Sequence, residues 1–375
     1  MALTRHDPQH IETRIRELVR QYVGLGARHG VPAALEPVMD MVVDQAAASS
    51  EGGKRLRALL TMDTYAIMAP LAPGEPYSEQ EQRAQAGAVL DLACAIEVFQ
   101  TAALVHDDII DDSDMRRGKP SAHRALAART NESIGMGLGL MLGDLLATAC
   151  VAIMDASASA LPHAQDVRAA FIAMHHDVEI GQVLDLAIER MPLDDPDALR
   201  GASAEVFRWK TASYTTIAPL HLAFLSAGMN QADAAHHAEA IGLPLGVAFQ
   251  LADDLLDVVG SSTATGKPVG GDIREGKRTV LLADALAGAS GADAARLRTL
   301  YAAPSRTDAQ VREVISLFER TGAIAASQAR IRNKWEQTVR AIGEMGLDAG
   351  REEQLAAVCA RFVPGICTAR GAGTM

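Results

Sequence analysis

Residues 86–111, AGAVLDLACAIEVFQTAALVHDDIID, run without a proline and with a single glycine, Gly87, near the start. Strong helix formers fill the stretch, so it reads as one long α-helix that ends in a cluster of aspartates. The same design returns in 246-GVAFQLADDLLDVVG-260. Composition agrees: aromatic residues are 4% of the chain, and its apolar half is rich in Ala, Leu, Gly and Met rather than in strand formers. An all-α fold is expected.

Turn-rich text at 69–78, 155–166, 191–203, 259–277 and 302–308 separates the helical patterns, with no linker, internal repeat or low-complexity block. One helical domain over residues 1–375 is the economical expectation, with an N-terminal arm of about 1–30 and a tail of about 368–375 at its periphery. The charge of −12 argues against a general nucleic-acid binder. Cys94, Cys150, Cys359 and Cys367 show no C-x-x-C spacing, so neither a disulfide framework nor a zinc site is indicated and a reducing cytoplasm is the expected setting. The opening MALTRHDPQHIETRIREL lacks the apolar core of a secretory signal. The oily run 134–154 is long enough for a membrane span, but Asp144 and four glycines point to a buried core helix and no transmembrane segment.

Asp107 and Asp111 are four residues apart, so on a helix they share a face, while Asp108 points roughly 100° away. Two carboxylates so close repel unless a cation joins them. Mg²⁺ suits them, because it takes one or two carboxylates and completes its octahedron with water and substrate phosphate. A solvated helix end paired with Arg116 and Arg117 would explain one such cluster. The second cluster, Asp253, Asp254 and Asp257 amid Leu251, Ala252, Leu255 and Leu256, is harder to explain as surface decoration. Lysines and arginines beside glycines at 52-GGKRLRALL-60, 116-RRGKP-120, 266-GKPVGG-271 and 276-GKRT-279, with 208-RWKTAS-213, supply cations for a polyanion. G-x-x-x-x-G-K-[ST] is absent, which disfavours a nucleotide kinase or ATPase.

In this order, GGKR-L-R, DDIID with DMRRGKP, KT, FQLADDLLD and GKPVGGDIREGKRT resemble the trans-prenyl diphosphate synthases, over Gly52 to Thr279. The resemblance implies the isoprenoid synthase fold, an antiparallel helix bundle around a deep apolar cavity, and a homodimer. It implies condensation of isopentenyl diphosphate with allylic diphosphates. Asp107, Asp111, Asp253 and Asp257 would bind Mg²⁺, three ions per site. Lys54, Arg57, Gln100 and Arg117 would hold isopentenyl diphosphate, although many relatives have histidine at the place of Gln100. Arg116, Lys210, Thr211, Gln250, Lys267 and Lys277 would meet the allylic diphosphate. Lys210 through its carbonyl, Thr211 and the Gln250 amide oxygen would face the allylic cation.

Asp185, in 179-EIGQVLDLA-187, resembles a family element near the metals and is expected either to partner Arg116 or to make a plain interhelical hydrogen bond. Asp272, Arg274 and Glu275 are expected in a loop closing over the phosphates, and His106 in packing or a hydrogen bond. The family's pocket floor maps to Ala102 and Ala103, with Phe99 a further turn of about 5.4 Å away. Geranylgeranyl diphosphate is the expected product. The alternatives are a C15 or longer C25+ product, a class I terpene cyclase, which would need no second diphosphate site, and a noncatalytic subunit, which would have lost its acid clusters.

Overall fold

Amphipathic helices begin where the sequence supplies caps. In the computed structural model, which describes residues 6–24, 30–69, 78–260 and 269–363, Asp7 caps α1 (Pro8–Val23) by accepting from the Gln9 amide. A Ser78–Glu81 capping box starts the longest helix, α4 (Glu79–Ile110). Between them lie α2 (Glu36–Ser49) and α3 (Leu56–Met68). After α4 come a two-residue antiparallel ladder of β1 (Met115–Arg116) and β2 (Lys119–Pro120), then α5 (Ala122–Ala127), α6 (Glu132–Ala158) and α7 (Ala164–Ile188). Among the described residues this ladder is the whole of the sheet structure, so the all-α expectation is met. Lys267 and the tail expected at 368–375 lie outside the described residues.

The chain divides into two compact units, Met1–Ile172 with Pro219–Ala234, and Ala173–Ala218 with Ala235–Met375. In the first, α4 packs chiefly on α6, and also on α3 and α1. Leu92, Ile96 and Phe99 of α4 are buried, as are Leu142 and Leu146 of α6 and Ile11, Ile15 and Leu18 of α1. The expected N-terminal arm thus contributes core side chains, and Arg14 of α1 grips Asp91 with two hydrogen bonds of 2.7 and 2.9 Å.

A glycine stripe sets the spacing around α6. Gly135, Gly139 and Gly143 recur every fourth residue and so share a face. A Cβ there would lie 2.4 Å from the Ala127 backbone, 2.7 Å from the His123 Cβ and 2.2 Å from the His106 Nε2, respectively. The opposite face is open: Ile134, Leu140 and Met141 are each about half exposed. The run expected to be a buried core helix is therefore buried on one side only, because its glycines and its large side chains fall on different faces. Both α4 and α6 are long and apolar enough to cross a membrane, and α4 is the more buried of the two.

The second unit holds most of α7, then α8 (Pro196–Val206), which runs directly into a π-helical stretch over Phe207–Ile217. After α9 (Ala218–Ser226) come α10 (Gln231–Val259), the short α11 (Gly271–Glu275), α12 (Val280–Gly288), α13 (Gly291–Ala302), α14 (Asp308–Arg320), α15 (Ala323–Gly343) and α16 (Ala349–Cys359). Leu251, Leu282, Leu297, Val314, Phe318 and Ile331 belong to one core here.

Adding a methyl group at Gly135 must push α6 off the backbone of α5, which is overpacking that the flanking side chains cannot relieve. Gly135→Ala should lower stability by about 1–3 kcal/mol, measured by urea unfolding, whereas Gly137→Ala, with nothing within 4 Å of its added Cβ, should not.

Candidate active site

The first acid cluster sits where α4 ends. Asp111 is the C-cap, its amide bonded to the Asp107 carbonyl at 2.8 Å, so the two carboxylates lie one turn apart as the spacing predicts. Asp108, directed inward and 2% exposed, takes two hydrogen bonds from Arg116, one of 2.8 Å from Nε and the other from Nη2. Arg116 also lies 3.6 Å from Asp107. Burial lowers the Arg116 proton affinity, but Asp108, Asp107 and Asp111 outweigh it and the net shift is upward. Burial likewise raises Asp108, with Arg116 opposing.

The β1–β2 turn aims two arginines in different directions. Arg117 and Gly118 have φ of 52° and 74°, the two left-handed residues of a tight hairpin turn. Arg117 Nη1 donates to the carbonyls of Glu51 and Gly52, at 2.9 and 3.1 Å. Gly52 and Gly53 also have positive φ, and a Cβ on Gly53 would come within 3.2 Å of the Arg117 guanidinium. Partial burial lowers the Arg117 proton affinity, and Arg55, Arg116 and Arg57 push the same way. Glu97 opposes them, and four arginines are thus gathered around this loop. A cavity of about 450 Å³ opens here, with Gly52, Thr101, Asp108, Arg116, Arg117 and Lys119 among its walls.

Of the other residues expected in this half, Lys54 is exposed, Arg57 is buried at the start of α3, and Gln100 is half-buried on α4. Phe99 and Ala102 are buried and Ala103 half-buried. His106 approaches the Leu140 carbonyl at 3.3 Å and Asp144 at 3.4 Å, the packing and hydrogen-bonding role expected of it.

In the second unit the π-helical stretch carries Lys210 and Thr211. A π-helix of 11 residues is long, since most are single-turn bulges. Glycines let neighbouring helices close on it: a Cβ at Gly181 would meet the Lys210 backbone at 2.3 Å, and one at Gly246 would meet Ala212 at 2.5 Å. Thr216 Oγ1 donates to the Gly242 carbonyl at 2.7 Å. The Lys210 ammonium donates to Asp185 at 2.5 Å. This is the interhelical hydrogen bond that was one of the two roles expected of Asp185.

Thr211 Oγ1 donates to Gln250 Oε1 at 2.8 Å, and Gln250 Nε2 donates to Asp254 Oδ1 at 2.8 Å. The amide oxygen expected to face substrate is thus held by Thr211. On α10, Asp253 is exposed, Asp254 buried and Asp257 half-buried. Asp257 accepts from the Gly271 and Asp272 amides at 3.0 and 3.1 Å, capping α11. Gly270 and Gly276 close α11 at either end in the left-handed conformation. The expected loop over the phosphates is therefore, in part, a one-turn helix. Lys277 lies 3.7 Å from Asp272 and 3.2 Å from Glu275.

Negative charge accumulates in this half. Burial, then Asp272 and Asp253, push the Asp254 carboxyl well up, and its Oδ2 is buried without a hydrogen-bond partner among the described residues. Asp272 is pushed up to about 6 by burial, with Lys277 opposing and Asp257, Glu275 and Asp253 reinforcing. An all-oxygen, acid-rich donor set of this kind fits Mg²⁺. No three His, Cys, Asp or Glu side chains among the described residues are gathered tightly enough to hold a metal alone.

Reasoning from sequence missed three participants. Asp108 as the Arg116 anchor was discoverable, since it is the acid of the cluster that turns away from the face shared by Asp107 and Asp111. The buried Asp254 could be found the same way. The π-helix leaves no composition signal.

The polyprenyl synthetase profile matches residues 39–318. The chain is a member of the polyprenyl synthetase family. It is 31% identical over 301 residues to the short chain isoprenyl diphosphate synthase of Methanothermobacter thermautotrophicus, covering 78% of this chain and 82% of that one. It is 30% identical over 285 residues to the geranylfarnesyl diphosphate synthase of Aeropyrum pernix, covering 75% and 80%. The crystal structure of geranylgeranyl pyrophosphate synthase from Corynebacterium glutamicum, complexed with isoprenyl diphosphate and magnesium, superposes with a TM-score of 0.80 at 30% identity over 95% of this chain and 99% of that one. The fold is the all-α isoprenoid synthase fold. Polyprenyl synthetases are prenyltransferases that use isopentenyl and allylic diphosphates and are generally Mg²⁺-dependent.

Because the folded protein holds the Asp272 pKa near 6, above the unfolded value of about 3.9, the fold favours its protonated form. Its contribution to stability is therefore lost as pH rises from about 4 to about 6. In metal-free buffer, Asp272→Asn should raise the thermal unfolding midpoint at about pH 8, with the gain shrinking toward about pH 4.

Proposed function

We propose that the protein is an all-trans polyprenyl diphosphate synthase making mainly geranylgeranyl diphosphate, as one catalytic domain acting with three Mg²⁺ ions in a cytoplasmic homodimer. What carries the reading is the presence of two separate cationic sets, each beside its own acid cluster. Arg117 with the Gly52–Gly53 loop supplies one, and Lys210 with Lys277 the other. A cyclase consumes one diphosphate and needs only one set; a noncatalytic subunit needs neither acid cluster.

Asp107, Asp111 and Asp253 are the Mg²⁺ ligands in this reading, with Asp257 reaching the metals while also fixing α11. Mg²⁺ supplies charge neutralisation of the departing diphosphate when bound. Arg116, already aligned by Asp108, and Lys210, aligned by Asp185, donate to the allylic diphosphate as negative charge develops on it. Lys277 and Lys267 add to that set. Lys54, Arg57, Gln100 and Arg117 hold isopentenyl diphosphate so that its double bond attacks the allylic carbon. The Lys210 carbonyl and the Thr211 hydroxyl, bonded to Gln250, offer oxygens toward the cation without a strong nucleophile. The leaving diphosphate then accepts the proton lost from the condensed chain.

The product length follows from α4. Phe99 and Ala103 precede Asp107 by eight and four residues, so all three fall near one helix face. Small Ala102 and Ala103 let the chain grow past the first turn, and Phe99 halts it one turn later. The relatives' names differ in product length, so the floor, rather than the family, carries this step. The outer face of α6, with Ile134, Leu140 and Met141, is where a second copy would find apolar surface, and the buried free thiols of Cys94 and Cys359 suit a reducing compartment.

The deciding assay gives the purified chain Mg²⁺, labelled isopentenyl diphosphate and dimethylallyl, geranyl or farnesyl diphosphate. C20 product is expected, and no incorporation with any starter would sink the synthase reading. Asp107→Asn should cut kcat by about 10²-fold or more. Ala102→Phe should shift product toward C15 and Phe99→Ala beyond C20; unchanged lengths in both would place the stop elsewhere.

A further inference from the structure

Arg55 belongs to the same GGKRLR segment as Lys54 and Arg57. It is 2% exposed and turned inward. Its Nη2 donates to the Ser50 carbonyl at 2.5 Å and reaches Glu12 Oε2 of α1 at 3.3 Å. Its Nη1 lies 3.6 Å from Glu97 Oε2, and Glu97 is also 2% exposed. The other oxygen of Glu97 accepts from the Ala58 amide in the first turn of α3, at 3.1 Å. One buried carboxylate of α4 thus holds both the side chain that precedes α3 and the amide end of α3 itself.

The backbone shows how closely this loop is constrained. Gly52, Gly53 and Arg55 all have positive φ, at 73°, 93° and 51°. A residue with a Cβ rarely adopts that conformation without surroundings that enforce it. Arg55 fixes the Ser50 carbonyl, and Arg117 fixes the next two, Glu51 and Gly52. Glu97 stands ten residues before Asp107 on the same helix. A buried charge pair of this kind adds little to stability by itself, yet breaking it is costly.

We propose that Arg55, paired with Glu97 and steadied by Glu12, is a positioning residue that sets the Gly52–Lys54 loop and the start of α3 for the isopentenyl diphosphate site. The inference rests on the synthase reading above. It makes α1 part of the substrate apparatus and separates the three cations of the segment into two that meet phosphate and one that holds them in place.

The test is a double-mutant cycle on the full-length enzyme with Arg55→Gly, which suits the left-handed backbone, Glu97→Gln, which keeps an acceptor for the Ala58 amide, and the pair together. Each single variant should raise KM for isopentenyl diphosphate by about tenfold or more, with kcat and the allylic KM within about threefold of wild type. The double variant should resemble the singles. Additive effects, equal rises in both KM values, or an unchanged isopentenyl KM would overturn the proposal. If the Arg55 or Glu97 variants prove insoluble, Glu12→Gln at the half-exposed end takes over: a rise of about threefold in the same KM supports the role and none overturns it. A wild-type enzyme without incorporation would undo the synthase reading itself; an active wild type with unchanged variants would undo only the positioning role.

Discussion

The structure is organised around the cost of holding like charges together in apolar surroundings. Carboxylates placed inside helices this oily repel one another and lose hydration. Each cluster meets that cost in its own way. At the first, Asp108 turns inward and binds Arg116, leaving Asp107 and Asp111 at the helix end. At the second, Gln250 and the α11 amides satisfy part of Asp254 and Asp257, and an orphaned oxygen with two elevated carboxyls remains. In the proposed synthase reading, this surplus negative charge would hold Mg²⁺ that in turn holds diphosphate.

Close backbone approach is the second recurring device. On α6 Gly135, Gly139 and Gly143 recur every fourth residue, so α5 and α4 come close without a ridge between them. Around the π-helical stretch, Gly181, Gly242 and Gly246 do the same for α7 and α10. Lys210 and Thr211 are consequently carried on a backbone whose hydrogen-bond register differs from that of α8 before it, and neighbours packed too tightly to relax hold that register in place.

Helix content, helix boundaries near the acid clusters and the identity of the charged residues were legible because they depend on local propensity and spacing. The i, i+4 separation of Asp107 and Asp111 placed both correctly. Partner choice was less so. Asp185 offered both Arg116 and a simple interhelical bond, and the bond to Lys210 depends on the packing of Gly181 against the Lys210 backbone, which spacing does not reveal. The one-sided burial of α6 could have been read from its glycine register, since large and small side chains alternate faces at helical spacing. The π-helix could not, because nothing in FRWKTASYTTI distinguishes a five-residue from a four-residue hydrogen-bond step.

The hairpin after α4 is small, yet it directs two neighbouring arginines to different partners. Arg116 ends β1 and Arg117 opens the left-handed turn, so Arg116 turns to Asp108 while Arg117 turns to the Gly52 loop. Two neighbouring arginines that look redundant in the sequence are therefore non-interchangeable addresses. An insertion or deletion of one residue here would barely alter composition or charge, yet it would break the two-residue turn that holds Arg117 and Gly118 left-handed and so sends the two side chains apart.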